Sequence, residues 1–432
     1  MRLDRRTLIK TSAVGMTAAV AGCLGDDDDD GDGVTNGNGV DEVSLGVIAP
    51  LSGPFSFNGS LVLEGVEFAA QQINDDGGID ALGGAEFEVE SVDTEETTDQ
   101  ATTAAQDLYS AHDVTASLGS WLSSHTIATT GVSEREQVPH LTLSFSDEIF
   151  DRGFEYVFGT SPLSSEFGQG ALDQSIDLAE AVGDSVDKVA LVGDNTAAIS
   201  FAFDPMAETL IPERDGVELV AEEVWSPPLP DASPVISALQ SEEPDVVYFG
   251  ATAFEDAVQV LRGLNEADIQ VPLIGIGAWL TVPPYIENVG VELTEGLIAL
   301  TGSHPTNEQE QMVRDFIDFS GEPFMVQDSV SHYAHVYMIK EAIEQTGSAD
   351  PGDIREFLAN ETITEGPAVD TFIGDELSFD DTGHMEQSAL ITSQWSESDD
   401  VWDFIETDAA PFTVFPEDLS VKDVDWQAAS YP

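Results

Sequence analysis

The sequence predicts an α/β protein built as two doubly wound parallel-sheet lobes, and three observations carry that expectation. Short β-branched runs alternate with segments of helical period along most of the chain. This is the pattern of βαβ units, whose parallel sheet is covered by helices on both faces. About ten such runs are too many for one comfortable sheet, so two lobes are expected. A length of 432 residues with 41% hydrophobic content excludes global disorder and supports a core of that size.

The elements follow in order. VSLGVIA at 43–49 is the first strand. From 60 to 76 the apolar residues Val62, Val66, Ala69 and Ile73 form one helical stripe, and Gly77 and Gly78 end it. EFEVESV alternates with period two, Ala101, Ala105 and Leu108 mark the next helix, and VTASLG returns to strand. Then come VPHLTL, KVALVGD, VELVAEEV, DVVYFG and VPLIGIG, with helix-like segments between most of them. No repeat of solenoid length interrupts this order.

Charge narrows the class of partner. The chain carries 13 Lys+Arg against 83 Asp+Glu, a formal net charge of −70. A nucleic-acid partner is excluded, because phosphate is repelled by such a surface. Two readings remain: a partner with concentrated cationic surface, or life in a salty medium. The acids are dispersed, as in NDDGGID, SVDTEETTD, SEEPD and SESDDVWD. Dispersal fits adaptation to high salt, where short Debye lengths mute self-repulsion.

The amino terminus, MRLDRRTLIKTSAVGMTAAVAGC, places positive charge before an uncharged stretch from Thr11 to Gly22. That stretch is shorter than the roughly 20 apolar residues a bilayer span needs, and it has the layout of a secretory signal. DRRTLIK resembles a twin-arginine export signal, with Arg5 and Arg6 as the pair. VAGC resembles a lipobox, in which cleavage before Cys23 frees its thiol to carry lipid. Cys23 is the only cysteine, and it precedes a segment unable to bury it, so anchoring is its expected use. The expected plan is a signal peptide at 1–22 and an acidic Gly/Asp-rich tether at 23–42. The mature chain is then extracytoplasmic, lipid-anchored to the outer face of the cytoplasmic membrane.

The body of the chain resembles a known family. VSLGVIAPLSGPFSFNGSLVLEGVEFAAQQINDDGGI (43–79) is similar to the opening of type 1 periplasmic binding proteins, the branched-chain amino acid (Leu/Ile/Val) receptors of ABC importers. SVDTEETTDQATTAAQDL with Asp93 and Thr94, SLGSWLSSHT, VPHLTLSFSDEI, YVFGTSP, PDVVYFGATAFEDAVQVLRGLNEADIQVPLIG and LSFDDTGH follow in the family's order. With its amino terminus, the chain resembles a haloarchaeal-like lipoprotein form of that family.

The resemblance implies two lobes joined by three hinge crossovers, with one lobe at 43–162 plus 301–370 and the other at 163–300 plus 371–432. It implies a ligand in the cleft at the strands' carboxyl ends, where open α/β sheets offer a crevice, and closure by hinge motion. GSWLSSHT runs from a strand end into a helix, so Ser123 or Ser124 is expected to cap it and to present its amides to a carboxylate. By resemblance Ser123, Ser144 and Ser146 grip a ligand carboxylate; the alternative is that they only turn the backbone. The family's amine-pairing acid is replaced by Gly277, its ligand-covering aromatic by Asn58, its Tyr-Gly by Ala198 and Ile199, and a further Tyr by Thr252. A buried ammonium without that acid is costly, which argues against a free α-amino acid. Phe55, Phe57 and Trp279 are candidates for an apolar pocket, and an amino acid, a carboxylate or an amide remains open as ligand.

Other classes fit less well. No Gly-x-Ser-x-Gly elbow, Walker loop or dinucleotide loop follows a strand, so an enzyme is not expected, nor any cofactor. His332 and His335 in HYAH have a metal-binding spacing but no third ligand nearby in sequence. The aspartates at 26–30 lack the pattern of a calcium loop, so no metal is expected. The expectation is a solute receptor working with ABC permease and ATPase subunits. The alternative is a ligand-sensing protein of the same fold acting with a signalling receptor.

Overall fold

A computed structural model describes residues 40–398 and 401–426. Arg5, Arg6 and Cys23, the expected signal peptide and nearly all of the expected tether lie outside these residues. In the first segment the chain runs β1 (Glu42–Ala49), α1 (Ser56–Asp75), β2 (Glu86–Asp93), α2 (Thr98–Ala111), β3 (Ala116–Gly119), α3 (Ser123–Glu136), β4 (His140–Thr142) and β5 (Val157–Gly159). Apolar β-branched residues make the strands and small apolar stripes make the helices. α2 also has a capping box, with Thr97 accepting from the Gln100 amide.

The chain then crosses to a second sheet. It continues as α4 (Ser164–Val182), β6 (Lys188–Asp194) and α5 (Ala197–Pro205), which passes through a π turn into α6 (Ile211–Glu213). Next come β7 (Glu218–Trp225), α7 (Ser233–Glu242), β8 (Val246–Gly250), α8 (Phe254–Glu266), β9 (Leu273–Ile276), α9 (Pro284–Asn288) and β10 (Ile298–Thr301). It returns for α10 (Glu310–Ser320), α11 (Gln327–Thr346) and α12 (Pro351–Asn360), and crosses back for β11 (Ile391–Glu397) and β12 (Ala409–Phe415).

The first sheet has order β2-β1-β3-β4-β5 and is parallel throughout. The second has order β12-β11-β10-β9-β8-β6-β7. It is parallel from β7 to β10 and antiparallel at β10–β11 and β11–β12. The lobes are parallel-sheeted as expected, and the second adds an antiparallel edge: β11 and β12 follow one another with no helix among the described residues of the link, which makes a hairpin and so an antiparallel pair.

Each sheet has its own core. The third segment adds Val313, Phe316, Ile339, Phe372, Leu377, Phe379 and Met385 to the core that holds Val43, Leu45 and Leu118. The expected assignment of 371–432 to the second lobe is therefore corrected, because residues 372–385 pack on the first. Backbone pairing of Ile363 with Leu377 and of Gly159 with His384 stitches them there, and the final crossing lies between Met385 and Ile391. The crossings touch: a Cβ on Gly302 would lie 2.4 Å from Ser161 Oγ, so only glycine fits between the strands of the hinge. Leu61 and Phe145, from first-lobe segments, pack into the second core, so the lobes meet along an apolar seam. Among the described residues no helix is long and apolar enough to cross a membrane.

Candidate functional site

Both sheets have a point where strand order reverses, and open sheets leave a crevice beyond the strand ends there. In the first sheet it falls between β1 and β3, in the second between β6 and β8. The loops that follow these four strands converge on one cleft. It is lined by Asn58 and Trp121–Ser124 from one side and by Thr196–Ala198 and Thr252 from the other, and encloses ≈ 560 Å³ of space continuous with solvent.

The first-lobe wall is strained. Gly119, Ser120 and Trp121 have φ of 110°, 65° and 47° in succession, a run that non-glycine residues adopt at a cost of about 1–3 kcal/mol each. Two contacts hold it: the Ser120 amide donates to Ile48 O (2.5 Å), and its hydroxyl bonds Thr129 Oγ1 (2.7 Å). The turn delivers the Trp121 indole to the cleft, where Nε1 donates to Asp328 Oδ1 (3.0 Å). Asn58 Nδ2 donates to the other oxygen, Oδ2 (2.9 Å). Asp328 stands in the first turn of α11, is 1% exposed, and is the one charged side chain among the described residues lining the cleft. Burial pushes its carboxyl up to about 6, against the pull of the hydrogen bonds from Asn58 and Trp121.

The structure revises the serine expectations. Leu122, not Ser123 or Ser124, is the N-cap of α3, and no side chain caps the helix; both serines line the cleft beside its free amides. Ser144 lies behind the wall rather than on it. Its hydroxyl bonds Thr126 Oγ1 (2.6 Å) and Trp121 O (2.9 Å), which props the strained turn. Ser146 precedes a 3-10 turn with its hydroxyl buried and unpartnered, also off the cleft.

The second-lobe wall turns on Asp194 at the end of β6. Its Oδ1 accepts from the Thr196 amide (3.0 Å) and hydroxyl (2.5 Å). Oδ2 accepts from the Thr252 amide (2.6 Å) and hydroxyl (2.7 Å). Gly277 does not line the cleft. At φ 103° a Cβ there would lie 2.5 Å from Trp279 Cζ2, so the indole occupies the space an acidic side chain would need. Trp279 lines the cleft with Phe145, their ring centroids 5.5 Å apart. Phe55 packs outside against Trp121 (5.7 Å), and Phe57 packs on the second core, so neither shapes the pocket. Ala198 lines the cleft, whereas Ile199 is buried beneath it.

Below the first wall lies a buried histidine group. His332 Nδ1 bonds Asp328 O (2.7 Å), His335 Nε2 bonds Thr160 Oγ1 (2.8 Å), and His140 Nδ1 bonds Ser117 Oγ (2.9 Å). Folding thus supplies His140 as the third histidine that the local sequence lacks. Among the described residues, however, no three His, Cys, Asp or Glu side chains are arranged to hold a metal. Burial holds His140 near 3, His332 near 4, and His335 well below its ordinary value.

Residues 42–399 match the sequence profile of the periplasmic binding proteins. The chain belongs to that family. As a periplasmic binding protein it is 26% identical over 396 residues to Leu/Ile/Val-binding protein homolog 7 of Brucella abortus (strain 2308), covering 89% of this chain and 94% of the relative. Its fold is similar to that of a branched-chain amino acid transporter substrate binding protein from Streptococcus pneumoniae in complex with isoleucine. That likeness has a TM-score of 0.67 at 18% identity, covering 86% and 99% of the two chains. An ABC transporter solute binding protein from R. palustris in complex with benzoate is similar at TM-score 0.67 and 16% identity, covering 86% and 95%.

Proposed function

We propose that this binding protein is the extracytoplasmic solute receptor of an ABC importer. It captures a small organic solute without covalent chemistry and hands it to permease and ATPase subunits. One observation carries the reading: the loops at both switch points line a single cleft whose polar groups are hydroxyls, helix-start amides, the Asn58 carboxamide, the Trp121 indole and one carboxylate. Such groups bind and orient a solute between apolar walls. The ligands of two proteins of similar fold, isoleucine in one and benzoate in another, support an amino acid or a carboxylate as the solute, with an amide as the further alternative. The Arg5–Arg6 pair and Cys23 fit export and a lipid anchor on the outer face of the membrane, and the net charge of −70 fits a saline exterior.

A thermal-shift screen of amino acids, carboxylates and amides in molar KCl tests the reading. A solute at 100 times its Kd stabilises the folded chain by about 2.7 kcal/mol, so a true ligand raises Tm by several degrees. A panel of those classes that leaves Tm unmoved contradicts it. Mass spectrometry of the membrane fraction tests the anchor: the expected mature chain begins at a lipid-bearing Cys23, and a bare thiol behind residues 1–22 contradicts it.

A further inference from the structure

Resting on that solute-binding reading, we propose that the cleft recognises a primary ammonium group on its solute. The group is held between the Asp328 carboxylate of the first lobe and the Thr196 and Thr252 hydroxyl oxygens of the second. The second-lobe half follows from proton counting. A threonine hydroxyl has one proton to donate, and both hydroxyls donate theirs to Asp194. The oxygens therefore offer only lone pairs to the cleft. Asp194 positions two acceptors without lining the cleft itself.

The first-lobe half follows from charge. An ionised carboxylate has about four acceptor sites, and Asn58 and Trp121 occupy one on each oxygen of Asp328. Both donors are neutral, and no lysine or arginine is among the described residues lining the cleft. A buried charge without a counter-charge is costly, and a solute cation relieves that cost. The three groups are all acceptors, and an ammonium has three donors and no acceptor. A solute carboxylate would find the uncapped start of α3 at Ser123 and Ser124 on the same wall. The acid thus comes from α11 rather than from the end of β9, where Trp279 fills the space beside Gly277.

Calorimetric titration of the full chain in molar KCl, with three matched sets of probes, tests this. The sets are built on the leucine, isoleucine and phenylalanine skeletons. Each comprises the amino acid, its 2-hydroxy analogue and its deaminated acid. In at least one set affinity is expected to fall from amino to hydroxy to deaminated, by about 100-fold overall, as expected for a buried charged hydrogen bond. Asp328→Asn is expected to compress that span to about fivefold while leaving the deaminated acid's affinity within threefold. Thr252→Val, which keeps the Asp328 network, is expected to compress it partly. The proposal is overturned if the deaminated acid binds as tightly as the amino acid, an outcome that leaves the solute-binding reading standing. It is also overturned if Asp328→Asn weakens all three probes equally, since the carboxylate then only props Trp121 and Asn58. Silence across all three sets overturns the proposal, while the wider thermal-shift panel judges solute binding itself.

Discussion

The two lobes share one plan, a sheet with its switch point on the cleft, but they are made differently behind their walls. Six of the seven histidines lie in first-lobe segments, and His140, His332 and His335 are buried there together, whereas His304, just past β10, bonds Thr413 Oγ1 of β12 (3.2 Å). His304 is the one histidine against the second sheet, and the core there is almost wholly apolar around Trp279, Trp395 and Tyr248. Of the tryptophans only Trp121 belongs to a first-lobe segment. The first lobe thus supplies strain, most of the titratable rings and a carboxylate that lines the cleft, and the second supplies hydroxyls framed by the buried Asp194 behind them. The difference teaches that pH acts mainly on one half of the molecule, while tryptophan fluorescence reports mainly on the other.

The sharpest way to break that contrast is to remove the frame. Asp194→Ala leaves the amides and hydroxyls of Thr196 and Thr252 without their acceptor. It is expected to cost about 4 kcal/mol of stability, read by urea unfolding on tryptophan fluorescence. A loss under about 1 kcal/mol would contradict the assigned role.

Acid is the next largest effect. The three histidines are held neutral in the folded lobe at values below their ordinary 6.5. As pH falls from 6.5 toward 4, the unfolded chain binds protons that the folded lobe refuses, so stability present above 6.5 is lost. Asp328, raised to about 6, and Glu64, raised to about 7 chiefly by burial and then by Glu322 and Glu67, act oppositely, because the folded state holds their protons. Burial lowers His125 and His304 as well and raises Glu67; the five histidines outweigh the three carboxyls, leaving a net loss on the order of a few kcal/mol at pH 4.5. Hydrogen exchange at pH 7 and 4.5 checks it: first-lobe peptides are expected to lose protection first, and earlier loss around β6 and β8 would reverse the comparison.

Two smaller substitutions sharpen it. Gly277→Ala forces a side chain onto Trp279 at a positive φ and is expected to lower stability by about 2 kcal/mol by thermal unfolding. An unchanged Tm would show that the indole is free to move. Ser144→Ala removes a prop of the Trp121 turn and is expected to cost about 1 kcal/mol and a few-fold in solute affinity by calorimetry. An unaltered affinity would mean that the turn holds without it.

Much of the fold was legible because β-branched runs and helical stripes alternate plainly from Val43 to Gly277. The boundary at 371 was not, because Phe372, Leu377, Phe379 and Met385 have no period that tells which core they cover. The β11–β12 hairpin escaped for a related reason: antiparallel pairing is set by a short link rather than by strand composition. At the cleft, Ser123, Ser124 and Thr252 stand just past strand ends and could be found by position, while Asn58, in the first turn of α1, is found through the family resemblance. Asp328 could not, since α11 brings it to the cleft from far along the chain. One signal was available: between Glu322 and Lys340 it is the only charged residue, within a largely apolar helix. Gly277 suggested a missing acid, and only the packed indole explains why none fits.

The central claim is that one solute is gripped by both lobes at once. Hydrogen exchange with and without the tightest probe tests it most directly. The account predicts slowed exchange together at 120–126 and 326–332 in the first lobe and at 194–199 and 250–256 in the second. Slowing confined to one lobe, or centred away from these segments, would contradict it.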